Sequence, residues 1–360
     1  MTNRETLLQI LDIARWAPSG DNTQPWRFEI VDDKNIAIHG HDTREWCVYD
    51  FQGRASHMAH GGLIETIRIA ATVHGLKATW QLREKTPDTA PIYDIKIDAD
   101  STIKRDPLVD FIEKRMVQRR PMKTTGLIES HRSALRVAAS AGYTVQFFES
   151  FADRLKVARL LWKNAHIRLT CPEAYLVHKK IIEWGATFSQ DRIPERAVGV
   201  DPLTARLMQW VMQSWERLDF FNRYLFGTIA PRIQLDFFPA LFCASHLIIK
   251  AVKAPNTLTD FVKAGIVMQR VWLTCAANGL LLQPEMTPVV FNWYATQKQN
   301  ISRLDTVNNE VKELAEHFYK LVEQGEGNSF PIFMCRIGIS EQPSSRSIRM
   351  PLNTLMWGQQ

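Results

Sequence analysis

The sequence predicts a chain of helices and strands in which one folding unit occurs twice. A Gly-bounded apolar segment recurs at Gly61–Gly75 and Gly265–Gly279 with the same length between its glycines. Ile69 falls in register with Leu273 and Ala71 with Cys275. Each closing glycine is followed by leucine, Leu76 and Leu280, as at a helix C-cap. Both segments are apolar on most sides, which predicts buried helices starting at their first glycines. Strand-like runs follow, Tyr93–Ile97 and Phe330–Ile339. A second parallel joins Leu7–Val31 to Arg132–Phe148, each a helical run and then a strand. The repeats are expected at 1–104 and 105–360.

In order along the chain, Arg4–Trp16 carries Leu7, Leu8, Ile10, Leu11, Ile13 and Ala14 at mostly helical spacing. Pro18 disfavours helix at Ala17. A polar turn follows, with the hydroxyl of Ser19, the flexible Gly20 and the side-chain amide of Asn22, before a strand-like Arg27–Val31. Such groups suit the polar edge of a planar heterocycle without adding charge. The second repeat has only Ala139-Ser140-Ala141-Gly142-Tyr143 at the matching place. It carries instead the basic run Arg119-Arg120-Pro121-Met122-Lys123 ahead of its first helix, where the first repeat has nothing equivalent. The segment 183–242 is rich in aromatics and reads either as core or as a lid over a planar ligand. Asn292–Gln324 reads as a helical insertion with its charges spread as on a solvated surface.

Residues 17–26 resemble the Ala-Pro-Ser-x-x-Asn-x-Gln-Pro-Trp motif of the flavin-dependent nitroreductase family, through Pro18, Ser19, Asn22, Gln24, Pro25 and Trp26. The resemblance implies an α+β fold, a mixed sheet flanked by helices, with FMN at the junction of two subunits. The duplication resembles the two-repeat branch, in which one chain mimics the homodimer. A single Pro18/Ser19/Asn22 turn and a single basic element in the other repeat then imply one FMN per chain. Arg119, Arg120 and Lys123 resemble the family's phosphate-gripping element, with Pro121 where a Ser or Thr is usual. The C-terminal strand, Gly338 and the arginines Arg346 and Arg349 resemble the family's closing basic element, and Arg349 is favoured slightly. Pro284, Glu285, Met286 and Thr287 lie where the family has a turn that walls the flavin ring; Pro284 is kept but the family's Glu-Gly order is not. Asp50-x-x-Gly53-Arg54 resembles a further element of the two-repeat branch.

Composition limits the alternatives. Hydrophobic residues make up 45% and charged residues 23%, as in soluble globular proteins. The net charge of +6 is not gathered into one basic block, which argues against nucleic acid and fits a phosphorylated cofactor. Five widely spaced cysteines indicate neither zinc nor disulfides, and the N-terminus lacks a signal-peptide core, so a cytoplasmic protein is expected. The best membrane candidate, Phe237–Ile249, is interrupted by Pro239 and His246 and is too short to span a bilayer. His57 and His60, three residues apart, have no companions at metal spacing. No Walker A, His-Glu-x-x-His or Gly-x-Ser-x-Gly string occurs. The expected activity is an FMN-dependent oxidoreductase passing hydride from NADH or NADPH to a nitroaromatic, quinone or enone, with no catalytic side chain required of the protein. The chain is expected as a monomeric pseudo-dimer or a higher homo-oligomer. Two other readings stand beside it: a flavin-sequestering or sensor protein without turnover, and an FMN-dependent tailoring dehydrogenase.

Overall fold

Asn3 opens the first helix, its side chain accepting a hydrogen bond from Thr6 N at 2.8 Å. In the computed structural model, which describes residues 3–140, 142–323 and 330–358, this helix is α1, Arg4–Ala14. It buries Leu7, Ile10, Leu11 and Ala14 and stops short of Pro18. The first unit continues through β1 (Trp26–Ile30), β2 (Asn35–Gly40), α2 (Arg54–Ala71), β3 (Leu76–Leu82) and β4 (Ile92–Ala99). The second repeats this plan through α3 (Glu129–Ala139), β5 (Tyr143–Phe148), β6 (Ser245–Ala251), α4 (Leu258–Ala277), β7 (Leu281–Pro284) and β8 (Phe330–Gly338).

The sheet topology carries the duplication. The first sheet has the order β1-β2-β4-β3 and the second β5-β6-β8-β7, so equivalent strands occupy equivalent places. Every pairing within the two sheets is antiparallel. They become mixed only at their edges, through parallel bridges Phe28–Met356 and Val117–Leu282. One bridge joins the C-terminal segment to the first sheet, and the other joins the segment ahead of α3 to the second sheet. At the C-terminal one, Trp357 N donates to Phe28 O at 2.7 Å and the Trp357 ring stacks on His39 with centroids 3.8 Å apart.

α2 and α4 cross at the centre. The glycines read as helix starts are not starts: the helices begin at Arg54 and Leu258, and Gly61 and Gly265 sit at the crossing. A Cβ at Gly61 would collide with the carbonyl oxygen of Val262, and one at Gly265 with that of Met58. Val262 and Met58 each stand three residues before the opposite glycine, so the contact is reciprocal. Close approach of two backbones, rather than helix initiation, explains the matched pair. The closing glycines have the expected role, with φ of 65° at Gly75 and 69° at Gly279.

Asp50 anchors the start of α2, its buried carboxylate accepting from Thr43 N and Oγ1 and from Ser56 N and Oγ. Arg54 lies over the rings of Phe51, Phe261 and Trp293. The Asp50-x-x-Gly53-Arg54 element thus sets a helix in place. His57 and His60 are also spent on structure, His57 on the carbonyl of Asp88 and His60 on Tyr93 Oη and the carbonyl of Pro25.

The main departure from the expected organisation is the first insertion. It starts directly after β5, not at residue 183, and runs to the start of β6. It includes the helices Phe151–Thr170, Pro172–Ile181, Pro202–Val211 and Trp215–Tyr224. A second insertion, between β7 and β8, holds the helices Thr287–Thr296 and Asp305–Val322. Ala141, and Gln324 at the end of the second expected insertion, lie outside the described residues. No helix among the described residues is long and apolar enough to cross a membrane.

Candidate functional site

Between α1 and β1 the chain takes an unusual path. Asp21, Asn22 and Gln24 adopt φ of 51°, 64° and 47°, a left-handed conformation costly for side-chain-bearing residues. Side chains hold it. Ser19 Oγ accepts from Gln24 N at 2.9 Å. Asn22 Nδ2 donates to the carbonyls of Gln190 and Ile348, both at 3.0 Å, and Gln24 Nε2 donates to Gln190 O at 2.8 Å. The turn therefore clamps the insertion and the C-terminal segment together. The corresponding link in the second unit, Ser140 to Gly142, is too short to form such a turn.

This turn forms one wall of a cleft of about 630 Å³, within the range of small-molecule sites. Pro18, Ser19, Asn22, Arg119, Pro284, Glu285, Met286, Thr287, Arg346 and Arg349, all singled out from sequence, line it. The opposite wall comes from the first insertion, between Leu161 and Asp236.

Arg120 and Lys123 do not line the cleft. Gln118 N donates to Leu282 O, and Lys123 N to Ile339 O, so this segment runs along the second sheet. Neighbouring side chains on an extended segment face opposite ways. Arg119 accordingly enters the cleft, while the exposed Arg120 turns to the carbonyl of Arg196. Lys123 is exposed as well, beyond the Pro121 bend. The arginine missed from sequence is Arg115, four residues before Arg119. It is buried, lies 4.3 Å from the Trp272 ring centroid and donates to Trp16 O at 3.1 Å.

Glu285 and Thr287 also differ from a simple ring wall. The buried Glu285 carboxylate lies 2.7 Å from His246 Nδ1 and 3.0 Å from Arg336 Nη1. Arg336 in turn donates to the carbonyl of Arg119 at 2.6 Å, which fixes the backbone that presents Arg119. Thr287 Oγ1 accepts from Asn164 Nδ2 at 2.7 Å.

The electrostatics of the cleft are one-sided. Arg115, Arg119, Arg346 and Arg349 spend their hydrogen bonds on backbone carbonyls, those of Trp16, Ala197, Glu113, and Ala17 with Ser347 and Ile348. None of the four is ion-paired with a described carboxylate. Burial lowers all four, Arg119 to about 10 and Arg349 to about 9; repulsion from neighbouring arginines adds to it at Arg115 and Arg349, while Glu113 opposes it at Arg346. Asp21 is the acidic group of the turn; burial raises its carboxyl to about 6 although Arg119 pulls it down. Clustered cations of this kind favour an anion with several acceptor oxygens.

Six buried polar atoms on cleft residues have no partner: Asn22 Oδ1, Arg115 Nε, Arg168 Nε, Trp272 Nε1, Gln283 Oε1 and Arg336 Nε. They comprise two acceptors and four donors, a set that suits a heterocycle with both N–H and C=O groups at its edge. No group of three or more His, Cys, Asp or Glu among the described residues could hold a metal ion.

Residues 2–55 match the model of the nitroreductase family. An uncharacterized protein of Mycobacterium tuberculosis (strain CDC 1551 / Oshkosh) is 24% identical over 327 residues, covering 88% of this chain. The chain spans only 44% of that relative's length. Among solved structures, similarity extends to a nitroreductase with bound FMN from Desulfitobacterium hafniense, at 14% identity and a TM-score of 0.35, over 68% of this chain and 95% of that one. An FMN-dependent nitroreductase from Mycobacterium smegmatis in complex with NADPH matches at 13% identity and a TM-score of 0.37, over 69% and 96%.

Proposed function

We propose, from the nitroreductase-family sequence at residues 2–55, that this chain is an FMN-dependent oxidoreductase with one cofactor site, built from both of its repeats. The observation that carries the reading is the joining of the Pro18–Asn22 turn and four unpaired arginines in one cleft. Arg119 belongs to the start of the second repeat and Arg346 and Arg349 to its end, whereas the turn belongs to the first, taking the repeats as 1–104 and 105–360. Arg349 Nε donates to the carbonyl of Ala17 at 3.0 Å, so the basic wall and the turn are bound to each other directly.

The residues fit FMN. Arg115, Arg119, Arg346 and Arg349 would hold the phosphate, and Asn22 Oδ1 and Gln283 Oε1 would accept from the ring edge. Bound FMN would supply two-electron chemistry between NADH or NADPH and an oxidised acceptor of the nitroaromatic, quinone or enone class. The protein's own part is to bind, orient and keep water out. Trp16, Met268 and Trp272 give the cleft flat or adaptable apolar surfaces, and the insertion covers it from the other side. Arg336 and Glu285 act at one remove, by bracing the backbone of Arg119.

That cover also supports a second reading, flavin sequestration without turnover. One experiment separates the two. Purified protein is reconstituted with FMN and mixed with NADH or NADPH without oxygen. An oxidoreductase bleaches at the flavin band, and a sequestering protein stays yellow. Protein that stays colourless after reconstitution overturns both.

A further inference from the structure

The two walls of the cleft differ in kind. The repeat wall carries four unpaired arginines. On the insertion wall the charged side chains are Arg168 and Asp236, and these pair with each other at 2.6 Å. Its histidine, His178, meets Tyr49 Oη at 3.0 Å and is kept neutral, since burial and the nearby Arg168 push it down to about 3. The remainder is largely apolar, with Leu161, Leu169, Val211, Met212, Leu218 and Phe221 among its members. The mouth is apolar too. Leu207, Leu225 and Phe226 line the cleft and yet are 48%, 52% and 79% exposed. Large apolar side chains left in water at the rim of a cavity mark a place where apolar surface arrives.

On the reading that FMN occupies the arginine wall, the geometry points to an uncharged acceptor with a large apolar substituent, bound against the insertion helices and entering past Leu207, Leu225 and Phe226. A charged acceptor would lose its water against this wall and find no unpaired charge there, because Arg168 and Asp236 form an ion pair; what Arg168 leaves open is its Nε, an N–H donor that a neutral carbonyl oxygen can meet. A small acceptor would leave most of the apolar wall wet. An alkyl-substituted ring compound covers it, and each methylene buried strengthens binding roughly threefold to fourfold.

The probe is a series of 2-methyl-1,4-naphthoquinones bearing no alkyl chain, a short one or a long one. Binding is followed by quenching of tryptophan fluorescence in flavin-free protein, and KM is measured in FMN-loaded protein. The dissociation constant should fall at least tenfold from the unsubstituted to the long-chain compound, and KM with it. In Leu218→Gln and Leu225→Gln the gain per methylene should shrink in both measurements, while FMN retention stays as in the wild type. Leu225 is half exposed, so its variant tests the wall without endangering the fold. Affinity that is indifferent to chain length, or that weakens with it, overturns the proposal. Because the fluorescence measurement needs no flavin, a protein that fails to bind FMN defeats the cofactor reading alone, and the alkyl series still decides this one.

Discussion

Arg270 Nη1 lies 2.6 Å from Glu65 Oε1, and beside it Gln269 Nε2 donates to Thr66 Oγ1 at 3.0 Å. These are one contact seen twice. With Gly61 equivalent to Gly265, residues 65 and 66 correspond to 269 and 270, so each pair is the image of the other under the pseudo-twofold axis between α2 and α4. In a true homodimer the two would be the same residues. Here one has become an ion pair and the other an amide-to-hydroxyl bond. The axis survives in the backbone and has been lost in the chemistry, as it has at the cleft.

The helix crossing is intolerant of a single methyl group. Gly265→Ala drives a Cβ into the Met58 carbonyl, backbone that cannot move without shifting α2. The expected loss is more than about 3 kcal/mol, at the upper end for overpacked cores, seen as a large fall in Tm or as insoluble protein. Gly62→Ala is the control. Its Cβ meets Met268 and Pro18 side chains at 3.6 Å, ordinary contact, so its thermal midpoint should change little or rise slightly.

Arg119→Ala and Arg349→Ala should each weaken FMN binding by roughly tenfold to a hundredfold, the value of one charge-assisted bond to phosphate. Arg120→Ala and Lys123→Ala, which alter exposed side chains outside the cleft, should leave it within about twofold. Titration of flavin fluorescence against each variant checks this. Equal losses from all four would show that the basic segment acts as a general positive field.

Asn22→Ala should do more than loosen a ligand. It removes the donor to Gln190 O and Ile348 O, and each such bond left open costs about 1–3 kcal/mol. Reduced FMN retention should therefore come with faster proteolysis in the segment after Ser345. Ser140→Ala, in the shortened counterpart link, should change neither.

Stability should fall at alkaline pH through the His246–Glu285 pair. Burial alone would lower His246, but the Glu285 carboxylate 2.7 Å away and Cys243 raise it to about 10. Its unfolded value is near 6.5. The contribution is thus complete below about pH 6.5 and lost as pH rises toward 10. Glu285, held below its ordinary value despite burial, contributes above the unfolded carboxylate range and fails only in acid. Urea midpoints measured between pH 6 and 10 should decline in the wild type, and that decline should be absent in Glu285→Gln.

The duplication and the turn were legible because each leaves a local signature, a glycine period and a run of Pro, Ser, Asn, Gln, Pro and Trp. The sequence could not tell that Gly61 and Gly265 serve each other, since a glycine that admits a neighbouring helix reads like one that starts its own. Arg119 and Arg120 are adjacent and chemically identical; only the path of the backbone along the second sheet separates the one in the cleft from the one in solvent. Arg115 escaped because nothing beside it resembles a motif, and its burial against Trp272 is a tertiary fact. Glu285 lines the cleft, but its carboxylate serves Arg336 and His246. The insertion was read short because Phe151–Thr170 is an ordinary amphipathic helix with no aromatic surplus to mark it.

The crossing of Met356 and Trp357 onto β1 bears on how the molecule comes into being at the ribosome. Arg346, Arg349 and the carbonyl of Ile348 that receives Asn22 are all synthesised more than 300 residues after the motif turn. The first sheet lacks its edge partner, and the motif turn its clamp, until that stretch has left the exit tunnel. Contacts spanning more than 300 residues then close late. A nascent chain that has not reached this stretch consequently offers only an unfinished cleft, and a ligand that needs both walls must wait for the crossing to form.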